Sequence, residues 1–141
     1  MQTLDNLLTY CQNNNIQLTE QQTLLLDIIL QSAHPISATE LLDALKIHNP
    51  KANRMTIHRG LERLTEQSLI HKIQFNNTYS ICQHISNHNC QMLVCIKCNN
   101  QTEIHSHNLC HSLNRLHQDY QFTVTSPIEI TGICNQCNSK Q

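Results

Sequence analysis

Two Cys-x-x-Cys pairs, Cys95/Cys98 and Cys134/Cys137, constrain this chain more than any other feature. Thiolates two residues apart turn toward a common tetrahedral ion, and two such knuckles complete a closed structural zinc site. Each pair lies beside a strand-like stretch, so one shared ion would tie the beginning of a small domain to its end. A thioredoxin-like redox centre is the competing reading, but it uses one such pair at a helix N-terminus in a βαβ context. Buried cysteines without any ligand role are a third possibility. Eight Cys in 141 residues would suggest a disulfide framework in an exported chain. Four of them are scattered, however, and Met1 to Tyr10 lacks the basic start and apolar run of a signal peptide. Metal binding in a reducing cytoplasm is therefore expected, and no stretch approaches a membrane span.

Four helical patterns come first. Leu4, Leu7, Leu8 and Cys11 mark a short helix that Asn13 to Asn15 should end. Thr19 and Gln22 form a capping-box pattern, with Leu18 placed for a staple, ahead of Leu24, Leu25, Ile28 and Ile29. His34-Pro35 breaks that helix. Ser37 and Glu40 repeat the capping pattern before Leu41, Leu42 and Leu45. A fourth helix should run from Asn53 to about Gln67. The period then changes. Residues 69–82 read as a hairpin turning at Asn76-Asn77, with Ile73, Phe75, Tyr79 and Ile81 as its apolar residues. The expectation is an α+β chain with a winged helix-turn-helix over residues 1–83, a polar hinge over 84–90 and a small α/β domain over 91–141. In that last part Met92 to Val94 and Thr102 to Ile104 read as strands, and Leu109, Leu113 and Leu116 as a helix. Tyr120 to Ile133 holds two more strand-like stretches. About fifty residues bury too little apolar surface to be comfortable alone, so a staple or a partner is required.

The formal net charge is only −1, so any nucleic-acid affinity must come from a local patch. Lys46, Lys51, Arg54, Arg59 and Arg63 supply one. At 100° per residue, Ile57, Leu61 and Leu64 fall on one arc of the fourth helix; Lys51, Met55, His58, Arg59 and Glu62 fall on the other. An apolar back with a basic front suits a helix lying in a major groove. Arg59 is the candidate for reading guanine through its rigid donor fork, and Lys51 and Arg54 for phosphate contacts. An ordinary solvated face is the plainer alternative. Gly60, costly in mid-helix, marks either a close approach of another helix or tolerated looseness.

A second candidate metal site lies across the hairpin. If Asn76-Asn77 is a two-residue turn, His71 stands directly opposite Cys82, close enough to share an ion. His84, His88 and Cys90 on the hinge, and Glu103 beyond the first knuckle, are available as further ligands. A mixed N/S/O set suits zinc and disfavours magnesium or calcium. Alternatively, His71 is a surface residue and Cys82 a small core hydrophobe.

Four features together resemble the ferric uptake regulator family, and within it the zinc-sensing branch. They are Ile36-Ser37-Ala38-Thr39-Glu40-Leu41-Leu42, Thr56-Ile57-His58-Arg59, Gln67-Ser68-Leu69-Ile70-His71-Lys72-Ile73 and the two knuckles. The resemblance extends from Leu18-Thr19 to Cys137. It implies a homodimeric, metal-responsive repressor whose winged helix binds double-stranded operator DNA and whose C-terminal domain dimerises. It makes Cys95, Cys98, Cys134 and Cys137 the ligands of one structural zinc. His71, Cys82, His88 and Glu103 become those of one regulatory zinc. His58-Arg59 stands where the family has a base-contacting Tyr-Arg, and Asn99 replaces the glycine usual after the first knuckle. Some relatives carry a further His/Asp/Glu/His site, for which this chain has Asn89, Gln91, Cys110 and Tyr120. His105, His107 and His111 remain as weak metal candidates or solvated helix-start histidines.

The expected function is a cytoplasmic, zinc-responsive repressor of zinc-uptake genes, acting on palindromic operator DNA as a zinc-loaded homodimer. An iron, manganese or peroxide sensor on the same scaffold is the nearest alternative. A zinc-dependent hydrolase, which would need an open ligand position, is the alternative from another class.

Overall fold

The computed structural model describes residues 2–85, 91–124 and 127–139. The chain divides into two compact units, Met1–Ile85 and Ser86–Gln141. Residues 86–90, most of the expected hinge, lie outside the described residues.

The first unit contains α1 (Leu4–Asn13), α2 (Glu20–Gln31), β1 (Ile36–Ser37), α3 (Ala38–His48), α4 (Arg54–Glu66), β2 (Ile70–Ile73) and β3 (Thr78–Ile81). Its helices start where capping chemistry dictates. Thr19 Oγ1 accepts the Gln22 amide while the Gln22 side chain accepts the Thr19 amide, a complete capping box. Ser37 and Asn53 cap α3 and α4 through Glu40 N and Thr56 N. Leu7, Leu25, Leu26, Leu41, Leu45, Ile57, Leu61 and Leu64 are buried, so the stripes of the four helices form the core.

Helix ends are settled without glycine, of which the chain has only two. α1 closes with Asn15 at φ 56°. Asn15 N donates to Gln12 O and Ile16 N to Cys11 O. α4 repeats the motif with Ser68 at φ 58°, where Ser68 N donates to Thr65 O and Leu69 N to Leu64 O. Both are Schellman closures in which Asn or Ser takes the left-handed position.

The wing differs from expectation in its turn, and it gains a strand. β2 and β3 pair antiparallel with His71 opposite Ser80 and Ile73 opposite Thr78. The turn therefore spans four residues, Gln74 to Asn77, with Asn77 left-handed at φ 54° and Thr78 Oγ1 donating to Asn76 Oδ1 at 2.7 Å. Phe75 sits at its exposed tip rather than in a strand. The register is displaced by two residues from a two-residue turn, and two is the side-chain period, so every side chain keeps its face. A third strand, β1, pairs with β3 through Ile36↔Tyr79 and Ser37↔Thr78. At two residues it is too short to show a period.

The second unit has β4 (Gln91–Cys95), β5 (Gln101–Ile104), α5 (His107–Tyr120), β6 (Ile128–Gly132) and the short α6 (Asn135–Asn138). β4 is central, antiparallel to β5 and parallel to β6. Among the described residues between Tyr120 and Ile133 one strand forms, β6, where the sequence suggests two strand-like stretches. Gln121 closes α5 in the left-handed conformation and residues 122–124 take no regular structure. Among the described residues no helix is long and apolar enough to cross a membrane.

Gly60 is the tight point of the first unit. It is buried on α4, and a Cβ there would collide with Leu25 Cδ1 of α2, itself fully buried. The close-approach reading holds. Gly60→Ala should lower stability by about 1–2 kcal/mol, because overpacking of about 1–3 kcal/mol outweighs a helix-propensity gain of up to about 1 kcal/mol. Urea unfolding of the zinc-loaded protein measures it; an unchanged midpoint would mean that Leu25 yields freely.

Candidate metal centres and nucleic-acid interface

Sheet register brings the knuckles together. β4 runs parallel to β6 with Cys95 beside Gly132, two residues before Cys134. Ile96 N donates to Gly132 O at 2.9 Å and extends the pairing into the first knuckle. That knuckle is also the β4–β5 turn, closed by Asn99 N to Cys95 O at 2.9 Å and Cys95 N to Asn100 O at 2.9 Å. Asn99 sits at φ 61°. This left-handed position explains why glycine suits it and why Asn is the natural substitute. Cys134 caps α6, whose single turn presents Cys137 back toward the first pair.

The four sulfurs lie within 4.8 Å of one another, and Cys98 Sγ is 3.8 Å from Cys134 Sγ. A tetrahedral zinc with bonds of about 2.3 Å has sulfur–sulfur edges of about 3.8 Å, so the donor set fits that ion. The thiols are strongly unequal. Cys95 is lowered to about 6, chiefly by the Cys134 backbone N–H donating to its sulfur at 3.3 Å and then by the Cys98 N–H. Cys137 is pushed up to about 12 by side-chain hydrogen bonds with Cys134 and Cys98. The cluster thus holds one thiolate readily and resists further ionisation until a dication compensates the charge.

His71 and Cys82 come together within the first unit. With Ser80 opposite His71, Cys82 is its diagonal neighbour on the same face rather than its direct partner. Cys82 N donates to Leu69 O at 3.0 Å, carrying the ladder one residue beyond β3. The imidazole and thiol ligand atoms lie within 4.8 Å of each other, and both residues are buried, His71 at 5% exposure and Cys82 at 0%. His71 is therefore not a surface residue. Glu103 is half-buried on β5, opposite Met92, in the second unit. His88 and Cys90 lie outside the described residues, and His84 is half-buried.

On α4, Ile57, Gly60, Leu61 and Leu64 face the core; Arg54, Met55, His58, Arg59 and Glu62 are exposed. Lys51 is exposed in the turn before it, where its amide donates to Asn49 Oδ1 at 3.2 Å. α1, α2 and α3 each carry an acid in the first turn, Asp5, Glu20 and Glu40, which favours the positive end of a helix. α4 has none and begins instead with Arg54. A cation there is opposed by the helix dipole, although α5 and α6 also lack an acid in the first turn.

A sequence profile described as the ferric uptake regulator family matches residues 13–130. The chain belongs to the ferric uptake regulator family. The zinc uptake regulation protein of Escherichia coli (strain K12) is 29% identical over 130 residues, 90% of this chain and 76% of that protein. A solved structure described as a zinc uptake regulator complexed with zinc and DNA matches with a TM-score of 0.84 at 28% identity. It covers 97% of this chain and 93% of that one. The ferric uptake regulation protein of Bacillus subtilis (strain 168) is 25% identical over 143 residues, 98% of this chain and 96% of that protein. The family's members are transcription regulators, not enzymes, and the hydrolase alternative falls with that membership. Where some family members carry a further metal site, this chain has a polar clamp that spacing did not reveal. Gln91, 1% exposed, donates through Nε2 to Cys110 Sγ at 3.2 Å and accepts the Ser106 amide at 2.9 Å. Tyr120 is 76% exposed. His105 and His107 stack edge to face at 5.1 Å.

Cys134→Ser should release one tightly held zinc per chain and leave the second unit unfolded, read by metal analysis with circular dichroism. Zinc affinity of the wild type should fall steadily as pH is lowered, because the sulfurs must give up their protons to the metal, the most reluctant being Cys137, pushed up to about 12 before metal binds. A native-like unit without that zinc would refute the assignment.

Proposed function

We propose that this chain is a zinc-responsive transcriptional regulator, a repressor of zinc-uptake genes that binds palindromic operator DNA as a zinc-loaded homodimer. One observation carries the reading. A buried imidazole and a buried thiol, ligand atoms within 4.8 Å, are built into the wing of the unit that also carries the basic face of α4. A thiolate in the sensing set favours zinc over iron or manganese, whose sites are rich in harder oxygen donors. A relative solved with zinc and DNA supports the same assignment.

In this reading Cys95, Cys98, Cys134 and Cys137 hold one structural zinc per chain. The regulatory ligands are His71, Cys82, His88 and Glu103, drawn from the wing, from a hinge over residues 84–90 and from the dimerisation domain over 91–141. Bound there, the ion would supply a tie among the segments that carry its ligands. His71 and Cys82 hold two of the four ligand atoms on one strand face. Lys51 and Arg54 contact phosphates and fix the register of the winged helix, residues 1–83, on the duplex. Arg59 reads a guanine, with His58 beside it. The second unit supports a homodimer because its own core is small. Among the described residues Met92, Val94 and Cys95 are its buried apolar ones, while Leu93, Ile130 and Ile133 stay well exposed on or beside the sheet. Such a surface fits a self-complementary interface. Free thiols of this number fit the reducing cytoplasm.

DNA binding titrated against buffered free Zn2+, with metal content measured alongside, tests the proposal. Cys82→Ser should keep the structural zinc and the dimer, yet need at least about ten-fold more free Zn2+ for operator binding. An identical zinc response in wild type and Cys82→Ser would place the switch elsewhere. Arg59→Ala should cost about 1–3 kcal/mol on the operator and far less on random DNA. Arg54→Ala should weaken both DNAs alike and reduce the salt slope by about one. Equal losses on both DNAs for Arg59→Ala would move it to the phosphate class.

A further inference from the structure

We infer that Met55 reads a thymine, its thioether end packing on the C5-methyl of a T·A pair next to the base contacted by Arg59. The inference deepens the regulator reading and rests on it. Met55 is 63% exposed, whereas Ile57, Leu61 and Leu64 of the same helix are at most 2% exposed, so its side chain does little for the core. It stands in the first turn of α4, four residues before Arg59 and three before His58. Those spacings set all three on one helix face.

Met55 and Arg59 also line one cleft of about 350 Å³ with Thr56 and with Thr19 and Gln22 from the N-terminus of α2. Leu25 closes its floor. Around that rim Met55 is the apolar side chain, set among hydroxyls, amides and a guanidinium. The N-terminal residues of a recognition helix reach base edges first. The thymine methyl is the apolar group presented by base pairs in the major groove. His58 offers a polar ring, which leaves Met55 as the apolar surface of this face. An unbranched, polarizable thioether can follow a methyl group through small changes of duplex shape.

The test uses zinc-loaded full-length protein and duplexes that it selects from a random pool, with each thymine replaced singly by deoxyuridine to remove its methyl. Wild type should lose on the order of four-fold in affinity at one thymine per half-site, the effect of burying one methyl-sized group. Met55→Ala should show a similar loss on the parent duplex and no further loss at that deoxyuridine. Met55→Leu should keep most of the sensitivity, and His58→Ala should keep it as well. A deoxyuridine profile for Met55→Ala that matches wild type overturns the inference. So does an equal loss on random DNA, or a lowered melting temperature that reveals a structural role. Absence of zinc-dependent sequence preference in the wild type overturns the regulator reading itself, and the Met55 assignment with it.

Discussion

The second unit hangs on one parallel strand pair. β4 beside β6 sets Cys95 against Gly132, and the four sulfurs converge only while that register holds. The dependence runs both ways. A parallel pair needs a long crossover, here α5 and its flanking segments, and a long loop costs entropy to close. No residue of α5 is fully buried, so packing returns little of that cost within one chain. Of four thiols near one another, one is lowered to about 6 and another pushed up to about 12, so the set cannot ionise fully until a cation compensates the charge. Metal affinity and strand register are therefore one folding reaction rather than two.

The first unit answers a different constraint. It must hold a helix whose outward end is electrostatically uncomfortable. Arg54 at the dipole's positive end, with no acid in that turn, is a local conflict of a few tenths of a kcal/mol that packing elsewhere absorbs. Gly60 lets α4 lie close against Leu25, so the apolar back is anchored tightly while the basic front stays free. Local conflicts of this kind concentrate where a protein meets a ligand, which agrees with the phosphate contacts proposed for Lys51 and Arg54.

Most elements were readable from residue chemistry because caps and stripes are local. Thr19-Gln22, Ser37-Glu40 and Asn53 start helices in the structure as their side chains dictate. What escaped were features set by partners or by backbone sign. β1 exists because β3 lies beside it, and two residues carry no period of their own. The wing turn takes four residues, Gln74 to Asn77, with Asn77 in the left-handed position, a length that the Asn76-Asn77 pair did not reveal. In a chain with two glycines, Asn15, Ser68, Asn77, Asn99 and Gln121 take the positive-φ positions. Punctuation read from glycine is nearly blind here. The knuckles were plain from spacing, whereas the clamp of Gln91 on Cys110 and Ser106 depends on tertiary contact and left no pattern.

The wing register also bears on why one metal site should be permanent and the other responsive. Direct cross-strand partners hold their Cβ atoms about 5 Å apart, whereas diagonal neighbours are about 7–8 Å apart and must lean together to share an ion. His71 and Cys82 are diagonal, yet their ligand atoms already lie within 4.8 Å. Half of the proposed sensing set is thus preorganised in a buried strand face. The other half, His88 and Glu103, belongs to segments outside the first unit. The four-cysteine set lies wholly within one unit, so its entropy of assembly is met once, when that unit folds. The proposed sensing set draws ligands from both units, so its occupation would carry a further entropic cost, lowering affinity toward a range where free zinc can vary. The proposed operator binding would then respond to that occupation. An ion bound by the wing alone would be indifferent to the arrangement of the two units, and equal affinity for two arrangements shifts neither.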